Sequence, residues 1–103
     1  MRVVSGELRG RRIESPVGDA TRPTTDKVRE AVFNALGSAG ILDGATVLDL
    51  FAGTGAMGIE ALSRGAQRCV FVERDRNALA TLRRNIDSLG LAERSEKIGR
   101  AHV

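Results

Sequence analysis

Gly53-Thr54-Gly55-Ala56-Met57-Gly58 is a GxGxxG that follows a short apolar run and opens a helical pattern, and Glu73 closes the next apolar run twenty residues after Gly53. Glycines at this spacing allow a tight turn and let a nucleoside approach the backbone without meeting a Cβ, while the helix start offers free N–H donors. A carboxylate at Glu73 can accept hydrogen bonds from both hydroxyls of a ribose. Asp49, four residues before the first glycine, separates the possible nucleosides. A desolvated carboxylate at this mouth would repel a pyrophosphate by several kcal/mol, which argues against a dinucleotide, and it would attract a ligand bearing cations. A P-loop is excluded, because Ile59 follows Gly58 and no GKS or GKT is present. Two readings stand at this point: a site for a cationic nucleoside such as S-adenosylmethionine, with its sulfonium and ammonium, or a turn in which Asp49 caps and the glycines are geometric.

The elements that would hold these residues follow from periodicity and punctuation. Residues 45–51 form an almost continuous apolar run between Gly44 and Gly53, the pattern of a strand buried on both faces of a parallel sheet. Residues 56–64 carry Ile59 and Leu62 on one helical face before Gly65, residues 69–73 form a second buried strand, and residues 77–89 form a helix with Leu79, Leu82, Ile86 and Leu89 inward before Gly90. Strand, helix, strand, helix with short links predicts right-handed crossovers and a parallel sheet. Ahead of them, residues 3–13 are broken by Gly6 and Gly10 and predict a hairpin, and residues 15–23 form a linker. A helix capped by Thr24 or Thr25 then presents Val28, Ala31, Val32, Ala35 and Leu36 as its apolar stripe.

Composition narrows the class. The chain has 103 residues, 42% hydrophobic and 28% charged, with one cysteine and one histidine, so neither an internal disulfide nor a zinc cage can form, and neither Cys69 nor His102 reads as catalytic. No run approaches the length of a membrane helix and the start lacks a secretory apolar core, which makes the cytoplasm the expected location. The net charge of +3 is uneven. Arg2, Arg9, Arg11 and Arg12 against Glu7 account for all of it, because the remaining residues balance. An arginine-rich arm on a neutral body suits an anionic partner, and a solvated hairpin is the plainer reading of the same residues.

Val47-Leu48-Asp49-Leu50-Phe51-Ala52-Gly53-Thr54-Gly55 with Gly58, Glu60 to Ala66 and Val72-Glu73 resembles the first two motifs of a Rossmann-like, class I S-adenosylmethionine-dependent methyltransferase. Arg2 to Arg12 and Arg22 to Asn34 are similar to the leader of the RsmD-type enzymes, which methylate the exocyclic N2 of a guanine in 16S ribosomal RNA. The resemblance covers residues 2–94. It implies an α/β fold truncated after its first two βα units, preceded by a β-hairpin and a helix. It also implies that Asp49, Phe51, Gly53, Thr54 and Gly55 line the methionine and ribose end of S-adenosyl-L-methionine, that Glu73 holds the ribose hydroxyls and that Arg74 flanks the adenine. Arg22 would lie near the cofactor or the RNA, and Arg9, Arg11 and Arg12 would meet phosphates of 16S ribosomal RNA or the small subunit; neither metal nor membrane is implied. Competing readings are a class I methyltransferase acting on protein or a small molecule, and a non-catalytic RNA-binding module.

The pattern departs from the family in one respect. Enzymes of this type carry an Asn or Asp-Pro-Pro-Tyr or Phe motif that holds the target amine and stacks on the flipped base. These residues contain no Pro-Pro and no tyrosine, so no catalytic residue is assigned and methyl transfer by the chain alone is not expected. Residues 95–103 show neither strand alternation nor a helical stripe, and residues 98–103 resemble the translation of a sequencing-library adapter, ATC GGA AGA GCA CAC GTC. The expected organisation is therefore a basic hairpin and linker over 1–23, the cofactor half of a methyltransferase domain over 24–94, and a non-native tail over 95–103. The strand at 45–51 would keep an open apolar edge, which favours self-association.

Overall fold

A computed structural model of the chain describes residues 1–15 and 26–99. The elements run α1 (Asp26–Ser38), β1 (Thr46–Asp49), α2 (Ala56–Ser63), β2 (Arg68–Val72), α3 (Arg76–Ser88), a 3-10 turn (Ala92–Arg94) and β3 (Ser95–Ile98). The strands form one parallel sheet in the order β1-β2-β3, with Asp49 opposite Phe71 and Phe71 opposite Lys97. The result is a small α/β domain with the element order of a Rossmann-like fold. Helix α3 begins where the Asp75 side chain accepts the Ala78 N–H at 2.8 Å, the usual device for an otherwise orphaned helix donor.

Side chains alternate across the pleat, so Cys69 and Phe71 of β2 point to one face and Val70 and Val72 to the other. The first face is covered: Cys69, Phe71, Ile59, Leu62, Leu82 and Ile86 are fully buried together. Burying side chains of this size is worth about 1.5–3 kcal/mol each. The other face is open among the described residues, with Leu48 59% and Ile98 46% exposed.

The expected β1 was buried on both faces. Among the described residues it is an edge strand, as the open edge expected at 45–51 implies, but Thr46 and Leu48 are exposed, because the described helices cover only the face bearing Val47 and Asp49. The expected lack of a third strand is also corrected. Residues 95–98 pair in parallel with Cys69–Val72, alternating half-buried and exposed, so the boundary drawn at 94 cuts the sheet. Ser95-Glu96-Lys97-Ile98 has no apolar run because an edge strand is fixed by backbone pairing more than by burial. Residues 100–103 of the proposed tail lie outside the described residues.

The face of α1 differs from expectation as well. Val28 and Val32 are 53% and 38% exposed, and the buried residues are Arg29 and Phe33. An arginine can be the inward residue here because it meets a buried acid. Arg29 Nε lies 3.1 Å from Glu60 Oε1, with both side chains at 0% exposure. Glu60 also accepts the Val4 and Ser5 N–H groups at 2.9 and 3.0 Å and pairs with Arg64 Nε at 2.8 Å.

The hairpin is present. Arg2 bridges Arg12 in antiparallel fashion, with Val3 donating to Arg11 at 2.9 Å and Gly10 to Val3 at 2.8 Å. Val3, Leu8 and Ile13 sink into the core, while Arg9, Arg11 and Arg12 stay exposed. Besides Glu60, the arm is held by Ser63, whose Oγ accepts from Leu8 N at 2.9 Å and donates to Ser5 O at 2.7 Å. The linker with Arg22, and the Thr24 and Thr25 caps, lie outside the described residues. No helix among the described residues is long and apolar enough to cross a membrane.

Candidate cofactor site

At the carboxyl end of the sheet the chain leaves β1 at Asp49 and enters α2 at Ala56, and the six-residue link carries the glycine loop. Its glycines do different work. Gly55 has φ of +91°, and a Cβ there would lie 2.5 Å from Leu82 Cδ1. A Cβ on Gly58 would lie 2.3 Å from Phe71 Cε1 and 2.6 Å from Cys69 Sγ, so glycine lets α2 press against β2. Gly53 has φ of +56°, and no described residue comes within 4 Å of where its Cβ would stand. Among the described residues, the loop is open beside Gly53.

Two carboxylates hold the loop. Glu73 Oε1 accepts the Gly53 N–H at 2.7 Å and Glu73 Oε2 accepts the Asp75 N–H at 2.7 Å, leaving a lone pair on each oxygen for a further donor. Asp49 points toward the helix layer, and its Oδ2 accepts the Gly58 N–H at 3.2 Å in the first turn of α2. The carboxylate thus occupies part of the helix start where a phosphate would otherwise sit. Burial lifts the Asp49 carboxyl above its ordinary 3.8; the Gly58 N–H opposes this, the charge of Glu73 adds to it, and the Phe51 N–H opposes it again. A positive charge placed beside the two carboxylates would offset their repulsion and favour the ionised form of Asp49. The same burial, with the charge of Asp49, pushes the Cys69 thiol up to about 12, consistent with a core cysteine.

The structure brings Asp49, Gly53, Gly55 and Glu73 together around the loop. Phe51 stands beside them at 92% exposure, Arg74 is exposed next to Glu73, and Thr54 is buried with its carbonyl accepting from Asn85. The arginine arm is not at this mouth. Arg11 donates from Nη2 to Ser88 O at 3.0 Å, at the far end of α3, roughly 18 Å along the helix from its start. Arg22 lies outside the described residues. Among the described residues no group of histidine, cysteine and acidic side chains could hold a metal ion.

Sequence reasoning missed Glu60, Arg29 and Asn85 as the polar groups that assemble the site's surroundings. Signals for two of them exist: Glu60 interrupts an otherwise apolar helix and Asn85 sits on the apolar stripe beside Leu82 and Ile86. A buried polar residue in such a place needs partners.

The family model described as "Conserved hypothetical protein 95" matches residues 1–102. The YlbH protein of Bacillus subtilis (strain 168) is 49% identical over 96 residues, covering 93% of this chain and 51% of that protein. "Ribosomal RNA small subunit methyltransferase D" of Escherichia coli (strain K12) is 44% identical over 89 residues, covering 86% of this chain and 44% of that protein. Among solved structures, that of the Escherichia coli protein yhhF superposes with a TM-score of 0.83 at 41% identity, covering 96% of this chain and 52% of that one. The chain spans about half the length of the curated relatives it matches. With the family model matching nearly end to end, and with these relatives beside it, the chain belongs to the conserved hypothetical protein 95 family, that of the RsmD-type rRNA methyltransferases.

Proposed function

We propose that this chain supplies the cofactor-binding half of an S-adenosylmethionine-dependent methyltransferase that acts on the exocyclic N2 of a guanine in 16S ribosomal RNA. The observation that carries the reading is the partly buried carboxylate of Asp49, raised by burial and by Glu73, beside a loop whose Gly53 has no described residue over it. A dinucleotide or triphosphate would add negative charge to that pair, whereas a sulfonium with an ammonium would offset it. Glu73, pinned by Gly53 and Asp75, would receive the ribose hydroxyls, Asp49 and the loop backbone from Phe51 to Gly55 would face the methionine end, and Arg74 would flank the adenine. When bound, S-adenosylmethionine supplies an activated methyl group. What the chain's own residues contribute is orientation and charge, and transfer further requires an acceptor amine held in line with that methyl group. No Asn or Asp-Pro-Pro-Tyr or Phe motif occurs in these 103 residues, so the chain alone is proposed to bind the donor without transferring from it.

Arg9, Arg11 and Arg12, exposed on a hairpin locked to the domain, would meet RNA phosphates away from the donor, and the name of the Escherichia coli relative supports rRNA as the substrate. Arg22 is proposed to lie near the cofactor or the RNA. Calorimetry on the complete gene product tests the reading: S-adenosylmethionine binds and NAD does not, and Asp49→Ala and Glu73→Ala each weaken the donor. Donor affinity that survives both substitutions, or preferential uptake of NAD, refutes it.

A further inference from the structure

We propose that Asn85 is a positioning residue that ties the N-terminal arm to the glycine loop, so that donor binding and RNA binding by the arm are thermodynamically linked. The inference rests on the cofactor and RNA reading above.

Asn85 lies on the inner face of α3 at 1% exposure. Its Nδ2 donates to Thr54 O at 2.9 Å and to Glu14 O at 3.0 Å, and its Oδ1 accepts the Glu14 N–H at 2.8 Å. Both amide hydrogens are used, and turning the amide over would set an oxygen against two carbonyl oxygens, so its orientation is fixed by its partners. Thr54 stands between Gly53, where the loop is open among the described residues, and Gly55, which is wedged against Leu82. Glu14 follows Ile13, whose N–H closes the hairpin on Met1 O at 2.8 Å. The outer side of the same junction is tied by Arg84 Nε to Glu14 Oε2 at 3.3 Å and by Arg11 to Ser88. One rigid, dehydrated amide therefore joins backbone on both sides. An arm seated for RNA holds the Thr54 carbonyl in place, and a loop ordered around a ligand holds the arm.

Linkage requires the two effects to be equal. The donor's dissociation constant is measured by calorimetry with and without a saturating RNA hairpin of 16S rRNA sequence carrying an unpaired guanine. The RNA's constant is measured by fluorescence anisotropy with and without S-adenosylmethionine, at one salt concentration, on the complete gene product. Each ligand is expected to tighten the other by the same factor, at least about fivefold, falling below about twofold in the variants. Asn85→Asp keeps the side chain's shape but turns acceptor atoms toward both carbonyls. Glu14→Pro removes the N–H that Oδ1 accepts, sets a ring carbon against that oxygen and deletes the Arg84 pair, so it opens the junction from the arm side with residue 85 unchanged and carries the test where the Asp variant does not fold. A wild-type factor near one with both ligands bound, or a factor that persists in both variants, overturns the inference and leaves the cofactor reading standing. Failure of S-adenosylmethionine to bind the wild type overturns that reading, and the inference with it.

Discussion

Glu60→Gln is the perturbation that most directly tests how the arm is held. The wild-type carboxylate, at 0% exposure, accepts from Val4 N, Ser5 N, Arg29 Nε and Arg64 Nε at 2.8 to 3.1 Å. Gln is nearly isosteric but offers one oxygen. Whichever way its amide turns, an NH2 group faces one backbone N–H and one guanidinium N–H, and the buried Arg29 loses its carboxylate inside the core, keeping the half-exposed Asp26. Removing one member of a buried ion pair costs about 3–5 kcal/mol, a large share of the roughly 5–15 kcal/mol that holds a small domain together. Two of the four hydrogen bonds to this carboxylate come from the arm itself, so the arm should release before the sheet melts. Urea denaturation followed by circular dichroism gives the first quantity. Limited trypsin digestion in native buffer gives the second, because Arg9, Arg11 and Arg12 are exposed and become cleavable once the hairpin leaves α2. A loss below about 1 kcal/mol, the size of one ordinary hydrogen bond, with unchanged cleavage in the arm, would refute the reasoning.

Three further outcomes follow from the site. Because Asp49 has its folded-state pKa raised above the ordinary 3.8, acidification protonates it in the folded chain before it would in the unfolded one. Donor affinity measured by calorimetry should therefore fall as pH drops through that raised value while this group's contribution to stability rises, and Asp49→Asn should melt higher yet bind the donor more weakly; affinity that grows on acidification contradicts this. Gly58→Ala should lower stability in urea, since a methyl group pressed on Phe71 and Cys69 costs about 1–3 kcal/mol against a helix-propensity gain of at most about 1 kcal/mol; a stabilised variant would show that the close approach is not needed. Arg9→Gln and Arg12→Gln should each reduce the slope of log affinity for RNA against log salt by about 0.7–0.9 for every phosphate no longer neutralised, without altering preference among sequences; an unchanged slope removes these residues from the RNA surface.

Much of the fold was legible because parallel βα units punctuate themselves. The run ending at Asp49, the helix from Ala56, the strand at Cys69 and the helix ending before Gly90 all stand within one to three residues of where periodicity puts them. What was not legible depended on partners distant in sequence. Arg29 could be read as buried only by knowing that Glu60, 31 residues away, faces it, and the apolar stripe at Val28 and Val32 therefore pointed to the wrong face. β3 was invisible for a related reason: Ser95-Glu96-Lys97-Ile98 is a strand because Cys69–Val72 pairs with it. The hairpin, set by Gly6 and Gly10 and by inward Val3, Leu8 and Ile13, was local enough to read.

The glycine loop shows why the motif alone is an ambiguous signal. Two of its three glycines, Gly55 and Gly58, are required by Leu82, Phe71 and Cys69, which any closely packed strand-turn-helix would demand whatever it bound. Of the three, Gly53 alone is clear of the other described residues, and there the loop is held by Glu73. The chemical information lies instead in the two acids. Asp49 does cap the start of α2, as the geometric reading of the motif allowed, but capping does not account for a second carboxylate close enough to raise it further. A helix N-terminus already favours one negative charge. Adding Glu73 beside it and burying Asp49 leaves an excess that a phosphate would worsen and a cation would remove. On the proposed reading one carboxylate would serve both ends: Oδ2 takes the Gly58 N–H, and the charge left over, with that of Glu73, would select a cationic ligand over a phosphate.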